Sequence, residues 1–187
     1  MTNSTPPPRR AVALRNAHPR LRVPRAAVRR MIAVLDREFC FMPADRPHLL
    51  RPPAAGHAGL QDPSSARAAA CPPGELSLVF LTDAALAALH ARFLADPSAT
   101  DVITFEGQAA AGLAGEVCVS VDTARAYARR HRQDFATELT LYLVHGWLHL
   151  AGYDDLRPAR KRRMRAAERR ALTLLRAARA VPPFLLV

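Results

Sequence analysis

Lysine is almost missing from this chain: all but one of its 27 basic residues are arginine, set against only 16 acids. Aromatic residues are scarce too, at 6%, so the core has to be assembled from a limited set of Leu, Val, Ile and Phe. There are three cysteines, Cys40, Cys71 and Cys118, an odd number without metal-type or redox-type spacing. That excludes a disulfide framework and a cysteine zinc site. No run is long and apolar enough to cross a bilayer, and the N-terminal stretch lacks the apolar centre of a secretion signal. These absences lead us to expect a reduced, cytoplasmic protein without a membrane role.

What remains is strongly cationic. The formal charge of +11 points to a polyanionic partner, with nucleic acid ahead of an anionic membrane. Arginine can hold a phosphate through two parallel hydrogen bonds, which lysine cannot. Part of the excess accompanies a general enrichment in Arg, Ala and Pro, as GC-rich coding produces. At 187 residues the chain is long enough for one domain with a sizeable core plus tails or insertions.

Residues 1–10 read as a disordered tail, followed by a single domain over 11–180. Ala11 to Leu14 could form a short strand, and Val23-Pro24 opens a helix with proline in the permitted first turn. Val28, Ile32, Leu35 and Phe39 recur on it at helical spacing. From about 40 to 74 prolines, alanines and glycines dominate without periodicity, the pattern of a flexible insertion. Glu75–Leu81 reads as a strand, with Thr82 or Asp83 capping a helix over 84–93. Strands follow at Thr100–Phe105 and Gly115–Val121. In the latter Val117, Val119 and Val121 share one face, leaving Glu116 and Ser120 as polar candidates to line a cleft. Asp122 starts a helix to about His131, a surface residue, and Asp134 caps the next. A last helix follows Pro158. Strands and helices mix without regular alternation, which predicts α+β with one small mixed sheet packed against several helices.

The chemistry concentrates in Leu141-Tyr-Leu-Val-His145-Gly-Trp-Leu-His149-Leu-Ala-Gly152-Tyr-Asp-Asp155. Two histidines four apart on a helix leave the same face. Gly152 suits a left-handed helix end, returning the chain so that Asp155, or Asp154 in the alternative register, can supply a third ligand. Two imidazoles and one carboxylate fit a catalytic zinc, with the fourth position for water whose pKa falls to about 7. The same set also suits a non-haem iron. The zinc-peptidase motif needs Glu after the first histidine; Gly146 stands there instead, which removes that chemistry. Trp147 points away from the histidines, into the core, and no second carboxylate cluster suggests a two-metal site.

The block His145-Gly-Trp-Leu-His149-Leu-Ala-Gly-Tyr-Asp-Asp155 resembles the signature of the YbeY endoribonucleases, His-Gly-x-Leu-His-Leu-x-Gly-Tyr-Asp-His. Thr100-Asp-Val-Ile-Thr-Phe105 and Gly115-Glu-Val-Cys-Val-Ser120 resemble two of that family's strands, and Met164 and Glu168 fit its last helix. The resemblance implies one zinc per chain, held here by His145, His149 and Asp155, with aspartate replacing the third histidine. It also implies cleavage of single-stranded RNA by metal-bound water, maturation of the 3′ end of small-subunit rRNA, and ribosome quality control. The rRNA and the small ribosomal subunit are then the partners. The family's phosphate-binding arginine falls by spacing on Leu94, with Arg92 the nearest substitute. That departure sustains an alternative: a non-catalytic rRNA-binding assembly factor with a structural metal. Arg157, Arg160, Lys161, Arg162 and Arg163, just after the ligand loop, are the expected RNA contacts. Neither they nor the N-terminal arginines interleave with aromatics, so no base stacking is predicted from those runs.

Overall fold

The computed structural model describes residues 10–42, 71–94 and 100–187. The expected tail, apart from Arg10, and the middle of the expected insertion lie outside the described residues. The main sheet has four strands, in the order β1 (Val12–Asn16), β3 (Glu75–Leu81), β5 (Leu113–Ser120) and β4 (Val102–Glu106). The first three run parallel, and β4 joins antiparallel at the edge with Thr104 opposite Val117. Two short strands, β2 (Leu21–Arg22) and β6 (Leu185–Leu186), form a separate antiparallel pair. The fold is α+β with a small mixed sheet, as the irregular alternation of elements implied.

Alternation along the strands sorts the core into two layers. Leu76, Leu78 and Phe80 of β3, with Val117 and Val119 of β5, pack under α1 (Arg25–Glu38), α3 (Val121–His131), α4 (Phe135–Leu150) and α5 (Pro158–Ala177). Val79, Leu81, Cys118 and Ile103 face the other way, against Leu86 of α2 (Asp83–Leu94). The helix that carries the histidines therefore lies on one face of the sheet and α2 on the other. The edge strand β4 separates them.

Several boundaries move by a residue or two for identifiable reasons. Pro24 is the N-cap of α1 rather than its first helical residue. Strand β5 ends at Ser120, whose hydroxyl accepts from the Thr123 amide at 3.0 Å and caps α3. A fully buried cap cannot also line a cleft. Glu116 sits on the α2 side of the sheet, accepting from the Ser77 hydroxyl at 2.7 Å, so it too faces away from the histidines. The ends of the expected insertion are tied down. Phe41 lies 5.5 Å from the Trp147 ring, Cys71 is buried, and Arg10 pairs with Asp36 at 2.7 Å while donating to the carbonyls of Cys71, Pro72 and Gly74.

Candidate metal centre

Helix α4 starts on Asp134, which accepts from the Thr137 amide at 2.7 Å. It then lies close to the sheet. A Cβ at Gly146 would come within 2.3 Å of a Val117 methyl carbon, so a residue larger than glycine would push the helix off the sheet. This explains the missing glutamate: position 146 points into the sheet and has no room for an acid. Trp147, fully buried, donates to Asp36 at 3.2 Å and meets Phe39 edge-on at 5.5 Å, on the side away from the ligands.

The helix ends in a Schellman turn. The Tyr153 amide donates to the Leu148 carbonyl at 3.0 Å and the Gly152 amide to the His149 carbonyl at 2.9 Å, with Gly152 at φ +93°. That left-handed conformation is one that glycine adopts without steric cost. The turn brings the Tyr153 carbonyl back to 3.0 Å from His149 Nδ1. On the other histidine, Nδ1 is 2.7 Å from Glu168 Oε1 on α5. A carbonyl and a carboxylate only accept, so each Nδ1 carries the proton and each Nε2 presents a lone pair.

The two Nε2 atoms lie 2.9 Å apart, and Asp155 Oδ1 is 3.8 Å from that of His149. The three ligand atoms of His145, His149 and Asp155 all fall within 4.8 Å of one another. Two acceptors facing each other repel, and a shared cation turns that repulsion into binding, so the donor set fits a divalent metal. Glu168 completes a carboxylate–histidine arrangement of the kind that orients a metal ligand. Burial pushes His145 toward neutrality, yet the bond and charge of Glu168, followed by Asp155 and Asp101, hold its pKa above the ordinary value. Burial and then the adjacent His145 push His149 down.

Asp154 has a different task. Its carboxylate accepts from the Leu156 amide at 2.7 Å and pairs with Arg160. The Leu156 amide first, and then Arg160, hold its pKa below the usual carboxylate value. Of the two adjacent aspartates, the structure brings Asp155 to the histidines and ties Asp154 to α5. Arg160 is thereby half-buried in an ion pair, whereas Lys161, Arg162 and Arg163 are exposed along α5 and Arg157 is its exposed N-cap.

Beside His149 opens a cleft of about 380 Å³ running along β4, lined by Thr104, Glu106, Tyr153, Asp154 and, from α2, His90. Arg92 does not line it. Its guanidinium lies over the Phe93 ring, 5.3 Å from the centroid. His90 is one turn before position 94 and on the same helical face, a relation that helix spacing alone could have exposed. Glu168 was legible as an isolated acid among arginines, but its pairing with His145, 23 positions away, depends on how α5 packs on α4. Cys71 and Cys118 are buried thiols whose pKa burial pushes up to about 12, so neither is a ligand candidate.

The family model described as Endoribonuclease YbeY matches residues 60–176. Among curated proteins, the chain is 41% identical over 97 residues to Endoribonuclease YbeY of Anaeromyxobacter sp. strain Fw109-5, covering 50% of each. It is 39% identical over 110 residues to that of Chlamydia pneumoniae, covering 54% of this chain and 70% of the relative. The chain thus spans about half the length of the Anaeromyxobacter protein. The solution structure of TM1509 from Thermotoga maritima aligns at 23% identity with a TM-score of 0.43, over 57% of this chain and 72% of that one.

Proposed function

The chain belongs to the YbeY endoribonuclease family, and from that premise we propose that it is a zinc-dependent endoribonuclease acting on single-stranded RNA. Within that reading it is a cytoplasmic protein that matures the 3′ end of small-subunit rRNA and serves ribosome quality control. The observation that carries it is the orientation of the two imidazoles: both Nδ1 atoms are engaged, leaving both Nε2 atoms aimed with Asp155 at one point. His145, His149 and Asp155 would hold one zinc. When bound, it would supply a Lewis acid for a phosphoryl oxygen and hydroxide at neutral pH. Glu168 and the Tyr153 carbonyl keep the ligands in the receptive tautomer. His90 reaches the same cleft from α2 and is our candidate for the phosphate contact, in place of Arg92. Lys161, Arg162, Arg163 and Arg157 would hold the RNA backbone beyond the cleft.

A second reading has one observation in its favour. Among the described residues no arginine or lysine lines the cleft, and Leu94 stands where the resemblance places a phosphate-binding arginine. A non-catalytic rRNA-binding assembly factor with a structural metal would need none. Zinc content and cleavage of a labelled single-stranded RNA, measured for wild type, His149→Ala and Asp155→Ala, separate the two. The nuclease reading expects stoichiometric zinc and cleavage in wild type, both lost in the variants. Zinc without cleavage in wild type selects the assembly factor, and cleavage surviving both substitutions removes the metal from the chemistry.

A further inference from the structure

Helix α3 carries a feature that the metal centre does not use. Tyr127 and His131, four residues apart, stack with ring centroids 3.9 Å apart and planes at 24°. His131 is fixed by its Nδ1–H, which donates to the Tyr127 carbonyl at 3.0 Å. Both side chains are exposed, Tyr127 to 41%, in a chain that has few rings to spend on its surface. An i, i+4 pair of this kind adds only tenths of a kcal/mol to a helix, which does not explain a large ring left in water. Beside the pair, Arg129, Arg130 and Arg132 are all exposed. Arg132 adopts the left-handed conformation, φ 54°, at the C-cap of α3.

The placement relates the pair to the metal centre. Helix α3 packs on α4, whose residues Glu138, Tyr142, His145 and His149 follow one another on a single helical face. The stacked pair is therefore carried by the helix that packs directly against that row's helix. Tyr142 is one turn, roughly 4.5 Å of helix rise, before His145. A strand of RNA lying along α3 would keep its phosphates on the arginine side and turn its bases toward the rings.

We propose that the Tyr127–His131 pair is a base-stacking platform for single-stranded RNA. It would receive a nucleobase a few nucleotides from the phosphate held at the His145, His149 and Asp155 site, while Arg130 and Arg132 take the backbone. A flat, preoriented aromatic surface beside guanidinium groups is what sequence-tolerant binding of single strands uses, because every base has a π face. A duplex hides those faces and gains nothing from the platform.

This inference rests on the RNA-directed reading of the metal centre, and the test keeps the two apart. Anisotropy of fluorescein-labelled oligoadenylate is measured on the metal-loaded protein before products appear on a parallel gel, with a duplex of equal length as control. Tyr127→Ala is expected to weaken single-strand binding about 5- to 100-fold and to leave duplex binding unchanged. Tyr127→Phe, which keeps the ring, stays within about twofold on the same argument. Arg130→Ala lowers the slope of log K against log salt by about 0.7. Single-strand binding in Tyr127→Ala equal to wild type overturns the platform, as does an equal loss for the duplex or no binding by wild type. Tyr127-dependent binding without any cleavage supports the platform and removes the nuclease instead.

Discussion

The two walls of the cleft are built differently. On the α4 wall every candidate metal ligand is held by a second group: His145 by Glu168, His149 by the Tyr153 carbonyl, and the loop of Asp155 by the Asp154–Arg160 pair. The helix beneath is seated on Val117 at a distance that admits only glycine. The α2 wall offers His90 from an exposed helix end, where Arg92 rests on Phe93 rather than reaching inward. Its described side-chain anchors lie at the opposite end of α2, where Thr82 accepts from the Ala85 amide and Asp83 accepts from Ser120 and Thr123. The three groups that could hold a metal are therefore fixed in place, whereas the described side-chain anchors of the α2 wall lie away from the cleft.

Substitutions that strike one wall should leave the readout of the other intact. The largest effect belongs to His149→Ala, which should lower zinc affinity by more than about 100-fold, since partners outside the ligand shell are themselves worth 10–100-fold. Equilibrium dialysis against a chromophoric chelator measures it. Glu168→Gln should fall in that 10–100-fold range, with the fold unchanged by circular dichroism. Gly146→Ala should destabilise by about 1–3 kcal/mol through overpacking, read from the urea midpoint, and Val117→Ala in the same chain should restore part of the loss. His90→Ala should slow cleavage of single-stranded RNA about tenfold, the loss of one hydrogen bond to a charged phosphate at roughly 1.5 kcal/mol, with zinc content at the wild-type level. Arg92→Ala should change neither readout by more than about twofold, the size expected of an exposed contact.

The smallest effect concerns acid. Asp122 accepts from the Asp83 amide at 3.0 Å and lies 3.1 Å from His18 Nε2. Partial burial opposes its ionisation, but the Asp83 amide and His18 outweigh it and depress its pKa. A depressed carboxylate contributes stability above its unfolded pKa and loses it as pH falls through the folded one. Below the usual carboxylate range α2 should therefore loosen from its Asp83 end before α4 does, seen as faster amide exchange in 83–94 than in 135–150. Equal rates in the two helices would remove the contrast between the walls.

How much of this was legible in the sequence follows from range. The i, i+4 histidines, the Asp134 cap and the left-handed Gly152 are local signals, and each is where spacing placed it. Strand alternation carried Glu116 and Ser120 onto one polar face, which was correct, but that face belongs to α2 and not to the histidines. Which side of a sheet a helix covers is not written in either element alone. The choice of Asp155 over Asp154 likewise depended on Arg160, six positions beyond Asp154 on another helix. His131 read as a surface residue in the sequence, and the structure stacks it on Tyr127, four positions earlier on the same helix.

The central claim is that His145, His149 and Asp155 together hold the metal, and its most direct test is metal content across the adjacent aspartates. Purified wild type, Asp154→Ala and Asp155→Ala are exchanged into chelator-free buffer with zinc and analysed by inductively coupled plasma mass spectrometry. The account predicts one zinc per chain in wild type, near-full zinc in Asp154→Ala and a loss in Asp155→Ala. Zinc retained in Asp155→Ala and lost in Asp154→Ala would contradict it.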